Sequence, residues 1–151
     1  MRRRTRRQRG GSLTVQYPCA IVQGKNIALG SVQGTPAVTL NVRSTSALYT
    51  LIMHDPDAPG YDSVRPRLHW LIINIPGSDF SAGQQLLGYF PPKPPSGKHK
   101  YKFTLYEQRF GRITVPTPRP DNFDLVAFVR DNNLIKVGEI FMRVAAPSWK
   151  N

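Results

Sequence analysis

The sequence predicts a mainly β domain, an antiparallel sandwich or Greek-key sheet, on three observations. Runs of alternating or densely apolar residues recur at strand length, only one stretch near the C-terminus carries helical spacing, and 14 prolines and 12 glycines punctuate the chain. At 151 residues there is room for one sizeable core and not for two.

The elements follow in order. Ala37 to Val42 alternates apolar and polar side chains, the period of a half-buried strand. Ala47 to Met53 is denser and fits a central strand, and Leu68 to Ile75 is a second buried one, ended by Pro76-Gly77. Lys100 to Glu107 alternates again, with Tyr101, Phe103 and Leu105 on one face. Asp121-Asn122 is placed to cap a short helix from Phe123 to about Arg130, and Asn132-Asn133 ends it. Val137 to Val144 makes the closing strand, and no internal repeat is present. Cys19, in an apolar stretch, is expected to be a small buried side chain, and as the single cysteine it excludes an internal disulfide.

Composition narrows the function classes. A hydrophobic content of 40% excludes wholesale disorder. No apolar run approaches the ~20 residues of a spanning helix. The formal net charge is +12, from 21 Lys+Arg against 9 Asp+Glu, and it is uneven. Arg2, Arg3, Arg4, Arg6, Arg7 and Arg9 crowd the first ten residues without an acid, and the first acid in the chain is Asp55. Six like charges so close repel one another and favour an extended tail. It has neither the apolar core of a secretory signal nor the amphipathic face of a transit peptide, so an intracellular protein, cytoplasmic or nuclear, is expected, or a virion component. Gly10-Gly11-Ser12 reads as a flexible joint, which divides the chain into a tail at 1–12 and a domain at 13–151. The tail is suited to a polyanion, either nucleic acid or an anionic membrane.

Three segments carry polar groups where a sheet wants apolar ones. Met53-His54-Asp55-Pro56-Asp57-Ala58-Pro59 leaves a buried strand with two carboxylates among prolines, and His69 sits inside another strand. The stretch from Pro91 through Pro92-Lys93-Pro94-Pro95-Ser96-Gly97 leads into Lys98-His99-Lys100-Tyr101, where His99 and Tyr101 share a face. Prolines stiffen such loops by fixing φ. A rigid wall bearing an Asp, two His and a Tyr is what a site for a small anion or polar headgroup requires.

Asp55-Pro56-Asp57-Ala58-Pro59, then His69, then Gly97-x-His99-x-Tyr101 resembles the phosphatidylethanolamine-binding protein family, which includes the Raf kinase inhibitor proteins, plant flowering-time regulators and small bacterial members. Leu48-Tyr49-Thr50-Leu51 and Leu105-Tyr106-Glu107-Gln108 add to the likeness, which runs from about Ala37 to Val144. His69-Trp70-Leu71 and Pro92-x-Pro94-x-x-Gly97-x-His99 lean toward the plant type. The resemblance implies a large central antiparallel Greek-key sheet, a smaller flanking sheet, one or two short helices and a shallow pocket for phosphate, phosphorylethanolamine-type headgroups or phosphorylated partners. Its lining maps onto Asp55, Pro59, His69, His99 and Tyr101, with Asp57 close by and Arg67 and Gly97 as rim positions. Tyr hydroxyl and imidazole N–H groups can donate to phosphate oxygens, and a nearby carboxylate is expected to raise at least one imidazole pKa.

Two departures stand out. Arg67 stands where animal members often carry an aromatic; it either adds a cation that favours anions over zwitterions or, the simpler expectation, points to solvent. The cis peptide that members often carry nearby is expected at Arg65-Pro66. The mammalian members extend into a C-terminal helix beyond the position of Asn151, so a more open pocket is expected here.

Enzyme readings are weaker. Asp55, His69 and His99 are the types of a two-His, one-carboxylate metal site, but the resemblance implies no metal and no cofactor. Ser96 lacks a nucleophile elbow. The expected function is thus a non-enzymatic, regulatory binding module, with a signalling protein among its partners. The alternatives are a structural or tethering role through the Arg tail, and inhibition of a kinase or protease.

Overall fold

The computed structural model describes residues 11–147. Among these residues eight strands make two antiparallel sheets. The smaller holds β1 (Gly11–Tyr17), β2 (Ala20–Ile21) and β3 (Ala37–Val42) in the order β2-β1-β3. The larger holds β4 (Leu48–Asp55), β5 (Arg67–Pro76), β6 (Gln84–Leu87), β7 (Lys98–Gln108) and β8 (Leu134–Ala145) in the order β6-β5-β4-β7-β8. Three sequential strands with the fourth returned beside the first is a Greek key, as expected.

The apolar alternation of β7 divides the core in two. Phe103 and Leu105 point to the small sheet and pack with Leu13, Val15, Leu40, Leu51, Met53 and Met142. On the opposite face Ile52, Leu71, Ile73 and Tyr106 meet Phe123, Leu125 and Leu134 beneath the one α-helix among the described residues, α1 (Leu125–Asp131). Each fully buried aliphatic or aromatic side chain contributes roughly 1.5–3 kcal/mol, so the five-stranded sheet, apolar on both faces over much of its area, dominates stability.

Two bulges in β5 set the directions of its polar side chains. Met53 pairs with Trp70 while His54 pairs with Leu68, so His69 is an extra residue between them. As a result Trp70 joins the core under the small sheet, Leu68 joins the core on the helix side, and His69 is re-aimed. A second register shift lies between Tyr49 and Leu51, where Asn74 takes φ +56°. Asn74 accepts from Ile113 N at 3.0 Å and from Gln108 Nε2 at 2.8 Å, and donates through Nδ2 to the Ile113 carbonyl at 3.0 Å. Gln108 Oε1 in turn accepts from Thr50 Oγ1 and from Asn74 N. This buried network ties the irregular segment after β7 to the middle of the sheet.

Several expectations are corrected. Gly11 and Ser12 are the first residues of β1, paired with Val42 and Asn41, and do not form a joint. The expected strands omit β1, β2 and β6; β2 and β6 are short, but β1 carries the strand alternation, with Leu13, Val15 and Tyr17 buried and Thr14 and Gln16 exposed. Asp124 Oδ1, not Asp121 or Asn122, caps the helix by accepting from Ala127 N at 2.9 Å. Cys19 is exposed, because it lies in the turn between β1 and β2. Arg65-Pro66 is trans, as is every peptide bond among the described residues. The Arg2, Arg3, Arg4, Arg6, Arg7 and Arg9 tail lies outside the described residues. No helix of the described residues is long and apolar enough to cross a membrane.

Candidate functional site

At the ends of β4, β5 and β7 the sheet opens into a cavity of about 360 Å³. Asp55 closes β4, His69 comes from the β5 bulge, and His99 and Tyr101 stand two residues apart on β7. The 56–61 turn adds Ala58, Pro59 and Tyr61, and the segment after β6 adds Phe90, Lys93, Pro94 and Pro95. Asp55, His69, His99 and Tyr101 are all buried, at 1–4% exposure, so the polar groups form the floor and the prolines and cations the mouth.

Hydrogen bonds fix the floor. His99 Nδ1 donates to Asp55 Oδ2 at 2.8 Å, while Asp55 Oδ1 accepts from Asp57 N at 2.8 Å. Asp57 Oδ2 accepts from Lys100 N at 2.8 Å, so Asp57 ties the loop to β7 and does not line the cavity. His69 Nδ1 donates to the Phe90 carbonyl at 2.7 Å, and Phe90 N returns a bond to the His69 carbonyl at 2.8 Å. Both imidazoles therefore spend Nδ1–H on the protein, and among the described residues neither Nε2 has a protein partner. The His69 ring meets Tyr101 edge-on at 5.2 Å, and the His99 ring stacks with Tyr101 at 6.1 Å.

Burial sets the charge states. Desolvation lowers the His69 pKa, which the Phe90 carbonyl and Asp55 only partly oppose, so this ring is neutral near pH 7. The expectation of a raised imidazole pKa therefore fails at His69, since burial outweighs the neighbouring carboxylate. Burial, then Asp55, drives the Tyr101 pKa upward and keeps its hydroxyl a donor. His54, on the opposite face of β4, donates Nε2–H to Thr104 at 3.1 Å and stays outside the site.

Arg67 does not point to bulk solvent. Its guanidinium lies 5.4 Å from the Phe90 ring centre, Nη1 approaches the Tyr61 hydroxyl at 3.5 Å, and Nε is buried without a hydrogen-bond partner. Lys93 Nζ is 5.8 Å from the same ring, so Phe90 gathers two cations at the mouth. Sequence reasoning named neither Phe90, Lys93 nor Tyr61 as site residues. The aromatic that opens the proline run, in Gly88-Tyr89-Phe90-Pro91, was the available signal. Gly97 lies outside the lining; its φ of +68° turns the chain into β7.

A small-sheet, large-sheet β domain with a buried Asp-His pair and a second imidazole at one end defines a pocketed binding domain. A family model described as Phosphatidylethanolamine-binding protein matches residues 4–139, and the chain belongs to that family. Among similar curated proteins, Protein MOTHER of FT and TFL1 homolog 2 of Oryza sativa subsp. japonica is 44% identical over 106 residues, 66% of this chain and 60% of the relative. Protein CENTRORADIALIS-like of Arabidopsis thaliana is 32% identical over 137 residues, 85% of this chain and 78% of the relative. The chain thus spans less than two thirds of the rice relative's length. The fold is also similar to the crystal structure of carboxypeptidase Y inhibitor complexed with the cognate proteinase, with a TM-score of 0.72 and 22% identity, over 91% of this chain and 84% of that one. The family match begins at residue 4, well before the domain boundary read from the sequence at 13.

Proposed function

We propose that this protein is a non-enzymatic, regulatory binding domain whose pocket takes a tetrahedral phosphate group carried by a small ligand or a phosphorylated protein. The observation that carries the reading is the placement of Arg67 and Lys93 at the mouth of a cavity floored by His69, His99 and Tyr101. Asp55 is the one carboxylate of the lining, and it is already engaged by His99 and by Asp57 N. A site with two cations and no free carboxylate favours a dianionic phosphomonoester over a zwitterionic headgroup, whose ammonium would meet Arg67 and Lys93.

The protein's own groups explain binding without chemistry. His99, with Nδ1–H held by Asp55 and Nε2 open, has the geometry of a general base, but among the described residues no serine, threonine or cysteine lines the cavity for it to activate, and burial raises the Tyr101 pKa. What remains are donors: the Tyr101 hydroxyl, the guanidinium of Arg67, the ammonium of Lys93 and, when His69 is protonated, its Nε2–H.

Titration calorimetry with inorganic phosphate, phenyl phosphate and phosphorylethanolamine tests this. Phenyl phosphate is expected to bind more tightly than phosphorylethanolamine, and His99→Ala is expected to lose binding while keeping its circular dichroism spectrum. Undiminished affinity in His99→Ala overturns the assignment of the site.

A further inference from the structure

The pocket leaves most of the domain's positive charge unused; Arg43, Arg109 and Arg112 stand apart, but a further part of that charge is gathered in one place. Among the described residues Arg65, Arg119, Arg130 and Lys136 form ion pairs with Asp124, Asp121, Asp131 and Glu139. Lys98, Lys100, Lys102 and Arg143 form none, and all four stand on one face of the β7–β8 pair. Lys98, Lys100 and Lys102 alternate with the inward-facing His99, Tyr101 and Phe103, so they share the outer face. Register sets Arg143 opposite Lys100 and Phe141 opposite Lys102.

Phe141 organises this array. Lys100 Nζ is 4.7 Å from its ring centre and the Arg143 guanidinium 5.1 Å, so an aromatic surface holds two cations in place. Exposed Lys25 is joined to the same edge, since its carbonyl accepts from Arg143 N at 3.1 Å and Gly24 packs against the Phe141 ring. Cations already ordered lose less freedom when a ligand arrives.

We infer that the outer face of β7 and β8, built from Lys98, Lys100, Lys102, Arg143 and Phe141, is a binding surface for single-stranded nucleic acid, separate from the pocket. Charge complementarity requires a polyanion. Alternate residues of a strand are roughly 6.6–6.8 Å apart, so three lysines in line form a linear track for a phosphate chain. An aromatic beside such a track is the pairing by which single strands are held. A lipid surface would want an apolar anchor beside the cations, but the exposed large apolar side chains, Ile21, Val64, Phe90, Phe110 and Val126, all lie on other elements. A duplex presents a convex rod to what is here a straight track along one strand.

Fluorescence anisotropy of the full chain with labelled oligothymidylate, across a salt series, tests the surface. The quadruple variant K98Q/K100Q/K102Q/R143Q is compared with a variant whose six tail arginines are glutamine, and with both sets combined. Neutralising the face is expected to weaken binding about tenfold or more at low salt and to reduce the log–log salt slope by about two to three, in the intact and the tail-neutral background alike. Inorganic phosphate at matched ionic strength is expected not to displace the oligonucleotide, which separates this surface from the pocket. Should the quadruple variant misfold, K98Q/K102Q, which leaves the Phe141 contacts intact, carries the test with half the slope change. Face variants that bind like wild type overturn the inference. So does a preference for duplex, or face-dependent binding to phosphatidylserine–phosphatidylcholine vesicles without binding to oligothymidylate.

Discussion

His99 Nδ1 lies 2.8 Å from Asp55 Oδ2, and both side chains are almost wholly enclosed, at 5% and 3% exposure. The pair joins the end of β4 to the start of β7, and Asp57 reinforces it by reaching Lys100 N. Asp55→Asn keeps the shape but removes the charge that faces the imidazole and sets amide hydrogens against Asp57 N or His99 Nδ1. An unsatisfied buried group costs about 1–3 kcal/mol. A loss of that size in urea denaturation is expected, together with loss of phosphate binding; unchanged stability contradicts the role given to the pair.

Arg67 is expected to govern selectivity more than stability. Replacing it with Ala removes one cation from the mouth while Lys93 remains on Phe90. Phenyl phosphate affinity should fall about tenfold, in the range of a charge-assisted hydrogen bond, and phosphorylethanolamine affinity should change little. Equal losses for both ligands in calorimetry contradict a selective role.

Acid sensitivity should come from buried imidazoles. Burial lowers the His54 pKa to about 4, and it lowers that of His69 as well. Because the unfolded chain takes up these protons near pH 6.5 and the folded chain resists, the unfolded state binds more protons below that pH. Stability is therefore full above about pH 6.5 and declines as pH falls toward 4, with His54 alone contributing a loss of about 3 kcal/mol. His54→Gln retains a donor to Thr104 and should flatten part of this decline in urea titrations at several pH values; a flat wild-type profile rules the account out.

How much of this was legible follows from the physics of each signal. The strands carrying the pocket were readable because Leu51, Met53, Leu71, Ile73, Phe103 and Leu105 are buried, and strand periodicity reports burial. β6 was not, because Gln84-Gln85-Leu86-Leu87 is an edge strand whose half-exposed side chains leave no alternation. The floor of the pocket was legible as residue types at fixed spacing on β7. The mouth was not: Phe90 and Arg67 come together through the two hydrogen bonds between Phe90 and His69 and through a bulge, and neither long-range register nor bulges are written in local pattern. Cys19 misled for a related reason, since its apolar neighbours belong to two strands and the residue itself to the turn between them.

Asn74 shows what the bulge costs when disturbed. Asn74→Ala strips partners from Gln108 Nε2, Ile113 N and the Ile113 carbonyl, all provided by one side chain, and leaves alanine at φ +56°. A destabilisation of about 2–4 kcal/mol is expected from unsatisfied groups and backbone strain. Faster amide exchange should follow in the 109–124 segment, with the β4–β7 strands protected. Uniform exchange changes across the sheet would mean that the network does not act locally.

In the proposed function the pocket binds a tetrahedral dianion beside imidazoles whose Nδ1–H groups are already spent. To donate from Nε2, neutral His69 must gain a proton. The direct measurement is calorimetry with sulfate, a tetrahedral dianion that does not titrate near neutral pH, in buffers of different ionisation enthalpy between about pH 6 and pH 8. Net proton uptake on binding is expected, with an affinity that falls as pH rises. Binding with no proton exchange and no pH dependence would contradict it.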